Sequence, residues 1–159
     1  MMGEKLLTAE ALVEALRVRR DRKERRVFTN GCFDLLHIGH TRYLRDARAL
    51  GDCLIVGINS DASVRAIKPD GRPIVPQEQR AEVLAALACV DYVVIFDEPD
   101  PRILIAAVQP DVLVKGGDWP IEQIVGRDIV QARGGAVLTI PLVPDVSTTM
   151  LVRRIQSFR

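Results

Sequence analysis

The chain reads as a doubly wound α/β protein on a parallel sheet of five strands. Three observations predict this. Short β-branched runs alternate with helical patterns from Val27 onward. The runs are continuously apolar rather than alternating, so both sheet faces must be covered. Glycine and proline punctuate them at Gly51, Pro76, Pro101, Pro110, Gly134 and Gly135. Strands joined through helices pair in parallel, and ligands then sit beyond the carboxyl ends of the strands, where strand order reverses.

The first element expected is a helix from Thr8 to about Arg20, with Leu12, Ala15 and Leu16 on one side and Thr8 as its cap. It runs into Arg17–Arg26, which holds seven basic and two acidic residues. No aromatic residue interleaves with that charge, which favours a solvated face over a nucleic-acid patch. Residues 1–26 thus read as a helical extension with a charged link, and residues 27–159 as the main domain. Strands are expected at 27–29, 54–58, 92–95, 112–114 and 136–140. Helices are expected at about 38–50, 76–88, 100–108, 121–133 and 147–157.

Composition narrows the function. A net charge of +1 argues against bulk capture of nucleic acid. No apolar run approaches the ~18 residues that a membrane span needs. The segment Met1–Leu7 lacks a signal-peptide core, and three cysteines without a C-x-x-C pair read as reduced thiols, so the expectation is a cytoplasmic protein. No P-loop pattern and no G-x-G-x-x-G after the first strand occur. No cluster has metal-ligand spacing, so magnesium is expected only as a companion of substrate phosphates.

Both histidines fall in one run, Phe28-Thr29-Asn30-Gly31-Cys32-Phe33-Asp34-Leu35-Leu36-His37-Ile38-Gly39-His40. The run reads as strand, glycine turn and helix start, which aims backbone N–H groups and a helix dipole at one spot. Gly31 permits a close approach to the backbone, Gly39 leaves room for a phosphate, and His37 and His40 share one helical face. Cys32 is better explained as a small buried thiol than as a nucleophile.

Three further groups are candidates. Lys115-Gly116-Gly117-Asp118-Trp119 follows a strand: Lys115 suits phosphate, Gly117 close approach, Asp118 a hydroxyl or amine, and Trp119 stacking. An ordinary turn with a core tryptophan explains it equally well. Ser147-Thr148-Thr149 sits at a helix start, where capping and phosphate binding use the same groups. Lys68 and Arg72 lie in a loop before Arg80, where they suit closure over a triphosphate or simple solvation.

His37-Ile38-Gly39-His40 spells the H-x-G-H signature of the nucleotidyltransferase superfamily. With Thr29–Asp34, Asn59–Val64, Arg72-Pro73, Glu78-Gln79-Arg80, Lys115–Trp119 and Ser147–Thr149, the chain resembles the heptose 1-phosphate adenylyltransferases. The resemblance covers roughly Val27 to the C-terminus. Leu142-Val143-Pro144-Asp145-Val146 stands where cytidylyltransferases carry R-T-x-G-I, which favours ATP over CTP.

The resemblance implies a Rossmann-like nucleotidyltransferase fold and transfer of AMP from ATP to heptose 1-phosphate. It implies His37, His40 and Lys68 as the catalytic groups. Gly31, Cys32, Phe33, Gly39, Arg80, Lys115, Gly117, Asp118, Ser147, Thr148 and Thr149 would hold the nucleotide. Arg72 and Trp119 would lie near the sugar, while Asp34 either orients a substrate group or caps the turn. In many bacteria this activity is joined to a kinase half. None is seen here, so the phosphorylation steps are expected of a separate protein. A homodimer is also implied. A cytidylyltransferase acting on a polyol or sugar phosphate, or a non-catalytic nucleotide-binding module, is the alternative.

Overall fold

In a computed structural model, which describes residues 4–117 and 119–158, five strands form one parallel sheet. They are β1 (Arg26–Gly31), β2 (Cys53–Asn59), β3 (Tyr92–Phe96), β4 (Val112–Gly116) and β5 (Ala136–Ile140). The continuous apolar runs have the predicted cause. Val27, Leu54, Val56, Val93, Val112 and Val114 enter one buried cluster. Phe28, Ile55, Val94 and Leu113, their neighbours in sequence, enter the other. Successive strand side chains point to opposite faces, and helices cover both.

Among the described residues seven α-helices flank the sheet: α1 (Ala9–Asp21), α2 (Ile38–Arg48), α3 (Asp61–Ile67), α4 (Gln77–Ala85), α5 (Arg102–Val108), α6 (Arg127–Ala132) and α7 (Thr148–Gln156). The strand order is β3-β2-β1-β4-β5. The chain therefore moves outward from β1 through β2 to β3, then crosses to β4 on the other side of β1. The carboxyl ends of β1 and β4 flank that reversal, and a crevice opens there.

Three expectations need correction. The boundary at residues 26 and 27 cuts through a shared core. Leu12 and Leu16 of α1 are 0% and 1% exposed, packed with Phe28, Ile55 and Ile105. Leu6 pairs with Val93 along the free edge of β3, and the Lys5 Nζ donates to the carbonyls of Leu87 and Val90. Lys5, Leu6 and α1 thus pack on the domain rather than extend from it. The helix expected at 121–133 is broken: a 3-10 turn at Ile121–Gln123 precedes α6, and Gly126 at φ +86° starts it. Finally, α3 was not anticipated, because seven residues are too few to reveal a helical period.

Candidate active site

The crevice has three connected chambers of about 290, 360 and 600 Å³, and Cys32 and Lys68 border all three. The middle chamber holds the two histidines. His37 is the N-cap of α2, and its Nδ1 accepts from the Gly39 N–H at 3.1 Å. The imidazoles stack at 3.9 Å with 24° between their planes. Phe33, itself at φ +49°, packs on His40 with centroids 5.3 Å apart.

Gly39 has a more specific task than leaving room for phosphate. A Cβ there would stand 2.7 Å from His37 Cε1 and 2.8 Å from Nδ1. Only glycine lets the His37 ring fold back over the helix start. Gly31 has a similar constraint, since a Cβ would meet the Phe33 ring at 2.9 Å.

Burial pushes the His40 imidazole down to about 4, with His37 adding a smaller effect in the same direction. Burial also lowers His37. Both rings are therefore neutral at neutral pH before a ligand arrives. The His40 Nδ1 is buried without a hydrogen bond among the described residues. The Leu35 carbonyl nearby favours the charged ring slightly but makes no bond of good geometry. An approaching polyanion would favour the protonated rings.

Cations and hydroxyls face the histidines. Lys115, at the end of β4, reaches Asn30 Oδ1 at 3.3 Å. Burial lowers its pKa, and Lys68 lowers it further. The two ammonium groups thus share one anion-poor space. Ser147 caps α7 by accepting from the Met150 N–H, and the Thr148 hydroxyl donates to the Leu35 carbonyl. The first-turn N–H groups of Thr148 and Thr149 have no helical acceptor. Together these groups offer a polyphosphate site made of two helix starts and two lysines.

Trp119 is 53% exposed and borders two chambers, so it is not a core residue. Thr149 and Arg72 line the outer chamber. Asp118 falls outside the described residues. Gly117, at φ +84°, donates its N–H to the Ile140 carbonyl and is covered by Leu142, so it serves the turn.

Two candidates have different work from that expected. Arg80 is 2% exposed. It donates to the carbonyls of Val75, Cys32 and Asn59 and to Asp61 Oδ1 at 2.7–2.9 Å. Its guanidinium is spent inside the protein, where it ties the turn after β1 to the start of α3. The Asp34 carboxylate is likewise occupied. It accepts from the N–H groups of Ile74 and Val75 at 2.9 Å and from Arg72 at 3.4 Å. It clamps the loop that carries Lys68 and Arg72, and it also borders the outer chamber.

The Cys32 thiol is pushed up by burial, despite Lys68 and Arg80 nearby, and stays protonated. Asn30 and Asn59, which the motifs include without a role, and Gln123 and Arg153, which no motif marks, also border the crevice. Asn30 and Asn59 end strands, a position that could have marked them. Arg153 carries no such signal. Among the described residues, no group of three or more His, Cys, Asp or Glu side chains is arranged to hold a metal ion. No helix there is long and apolar enough to cross a membrane.

A doubly wound sheet with paired imidazoles and lysines at its switch point offers donors and positive charge suited to a nucleotide phosphate, an arrangement that fits the class of the nucleotidyltransferases. The chain belongs to the cytidylyltransferase-like family, whose profile matches residues 28–154. It is 52% identical over 151 residues to the bifunctional protein HldE of Syntrophotalea carbinolica, covering 95% of this chain and 31% of that one. It is 54% identical over 151 residues to the HldE of Pseudomonas syringae pv. syringae, covering 95% and 32%. The chain thus spans about a third of the length of the curated relatives it matches.

Among solved structures it is similar to a lipopolysaccharide core biosynthesis protein from Thermoplasma volcanium. That match has a TM-score of 0.62 and 28% identity, over 76% of this chain and 97% of that one. Pantothenate synthetase from Thermus thermophilus shares the fold, with a TM-score of 0.61 at 18% identity, over 87% and 62% of the two chains.

Proposed function

We propose that the protein transfers AMP from ATP to heptose 1-phosphate, giving ADP-heptose and pyrophosphate. A sugar-phosphate oxygen attacks the α-phosphorus, the bond to the bridging oxygen of the β-phosphate breaks, and pyrophosphate leaves with that electron pair. The attacking phosphate is already ionised, so positioning and charge stabilisation supply the catalysis.

His37 and His40 contact the nucleotide phosphates and steady the crowded α-phosphorus. Lys68 and Lys115 offset the charge that builds towards pyrophosphate. Ser147, Thr148 and Thr149 hold the outer phosphates at the start of α7. Trp119 lies near the nucleoside or the sugar, and Arg72 near the sugar phosphate. Magnesium travels on the phosphates; among the described residues no group of three or more His, Cys, Asp or Glu side chains is arranged to hold it. The protein would act in the cytoplasm as a homodimer.

The observation that carries this reading is the stacked neutral imidazole pair at the start of α2, facing Lys68, Lys115 and the start of α7. The HldE relatives at about 50% identity favour the heptose acceptor. The family description favours CTP, whereas Leu142–Val146 departs from the cytidylyltransferase pattern.

The test is pyrophosphate release with magnesium and β-heptose 1-phosphate, run in parallel with ATP and CTP. Release with ATP alone supports the adenylyltransferase. Release with CTP alone, or with neither, overturns it in favour of a cytidylyltransferase with another acceptor or a module without turnover.

A further inference from the structure

A second concavity of about 490 Å³ lies at the other end of the sheet. It opens at the amino ends of the strands, where Arg26 starts β1, Ala136 starts β5 and Asp111 precedes β4. β1 has six residues, so at about 3.3 Å per step roughly 17 Å of strand separates Arg26 from Gly31. None of its lining residues borders the catalytic crevice.

Charge is concentrated in it. Arg20, Lys23, Arg25, Arg26 and Arg133 line it against Glu24 and Asp111, a local excess of +3 in a chain whose net charge is +1. Both carboxylates are already engaged, Glu24 with Arg19 and Asp111 with Arg26. Arg20, Lys23, Arg25 and Arg133 have no ion pair among the described residues.

Arg26 forms the floor of the concavity. It is 4% exposed, and its Nε and Nη2 donate to Asp111. Its Nη1 is buried with no hydrogen-bond partner among the described residues. A buried guanidinium donor without an acceptor is costly, and native structures rarely leave one so. At the rim, Gly134 has nothing within 4 Å of where a Cβ would stand, so that side is open.

We propose that this concavity is a binding site for a compact phosphorylated small molecule, held by Arg20, Lys23, Arg25 and Arg133. Guanidinium groups match phosphate oxygens in pairs, which suits a ligand with two or more phosphate charges. The lining contains no aromatic residue on which nucleic-acid bases would stack. The site is separate from the chemistry proposed above and stands whatever that chemistry is.

The test is a titration of the isotope-labelled full chain with inorganic pyrophosphate, followed by backbone amide NMR. Pyrophosphate also enters the catalytic crevice, where Gly31, Gly39 and Thr148 report it. Asp111, Gly134 and Gly135 report the second site. The expected result is a saturable shift of those three, half complete below ~1 mM. In Arg20→Ser/Arg133→Ser this curve weakens at least about tenfold while the crevice curve is unchanged. Arg20→Lys/Arg133→Lys keeps the charge but loses the paired contacts, so it binds between the parent and the serine variant. An absent or non-saturating shift overturns the proposal, as does equal binding by the serine variant. A single-stranded oligonucleotide that saturates the same amides more tightly than pyrophosphate also overturns it.

Discussion

Substituting Gly39→Ala separates the geometry of the histidine pair from the stability of the fold. The added Cβ would stand 2.7 Å from the His37 ring, where ordinary contact begins at 3.4 Å. The ring must therefore retreat by roughly 0.7 Å, because close-packed groups do not overlap. Retreat pulls against the 3.1 Å bond from the Gly39 N–H and the 3.9 Å stack on His40. Losing the cap costs about 1 kcal/mol. Alanine in place of glycine inside a helix returns about the same. The melting temperature should then move by no more than ~4 °C. A catalytic group displaced by about 1 Å costs on the order of 10² in rate. The assay is kcat for pyrophosphate release, read beside a thermal melt. A variant whose kcat stays within about threefold of the parent would refute the assigned role of the ring. A fall in Tm beyond ~6 °C would refute the stability argument.

Arg80→Met removes a fully enclosed guanidinium and strands Asp61 and three carbonyls; denaturant unfolding should show a loss of about 3 kcal/mol, and a loss below ~1 kcal/mol would contradict the keystone role. Leu12→Ala opens a cavity in the shared core and should cost about 2–5 kcal/mol, so deleting residues 4–21 should unfold the domain rather than leave its chemistry intact; a deleted chain that melts like the parent would restore α1 to the status of an extension. His40 is lowered from 6.5 to about 4 in the fold, so the unfolded chain takes up more protons between those values. Stability is therefore complete above pH ~6.5 and falls towards pH 4, by at most about 3 kcal/mol and less because the ring is partly exposed. The slope should flatten in His40→Gln, and an unchanged slope would assign it elsewhere. Binding a non-hydrolysable ATP analogue should take up protons near pH 6.5, seen as a buffer-dependent calorimetric enthalpy that His40→Gln reduces.

The sequence by itself determined the sheet. Its strand runs are apolar at nearly every position, Thr29 and Thr139 excepted, as a sheet covered on both faces requires, and the order of motifs placed Gly31, the histidines, Lys115 and Ser147 each near a strand end or helix start. Local patterns can do this because capping, turns and two-faced burial act over a few neighbouring residues. Only the tertiary structure decided which charges meet substrate and which meet protein. Arg80 and Asp34 carry the same charges in sequence as solvent-facing groups do, and their enclosure depends on partners 19 to 48 and 38 to 41 residues away. The place of α1 was decided in the same way. Its leucines at helical spacing signalled a buried side, but the surface they cover belongs to α5 and β3, distant in sequence. Gly39 joins the two levels. Its identity was legible at once, and its physical reason, the folded-back His37 ring, appears only when both side chains have positions.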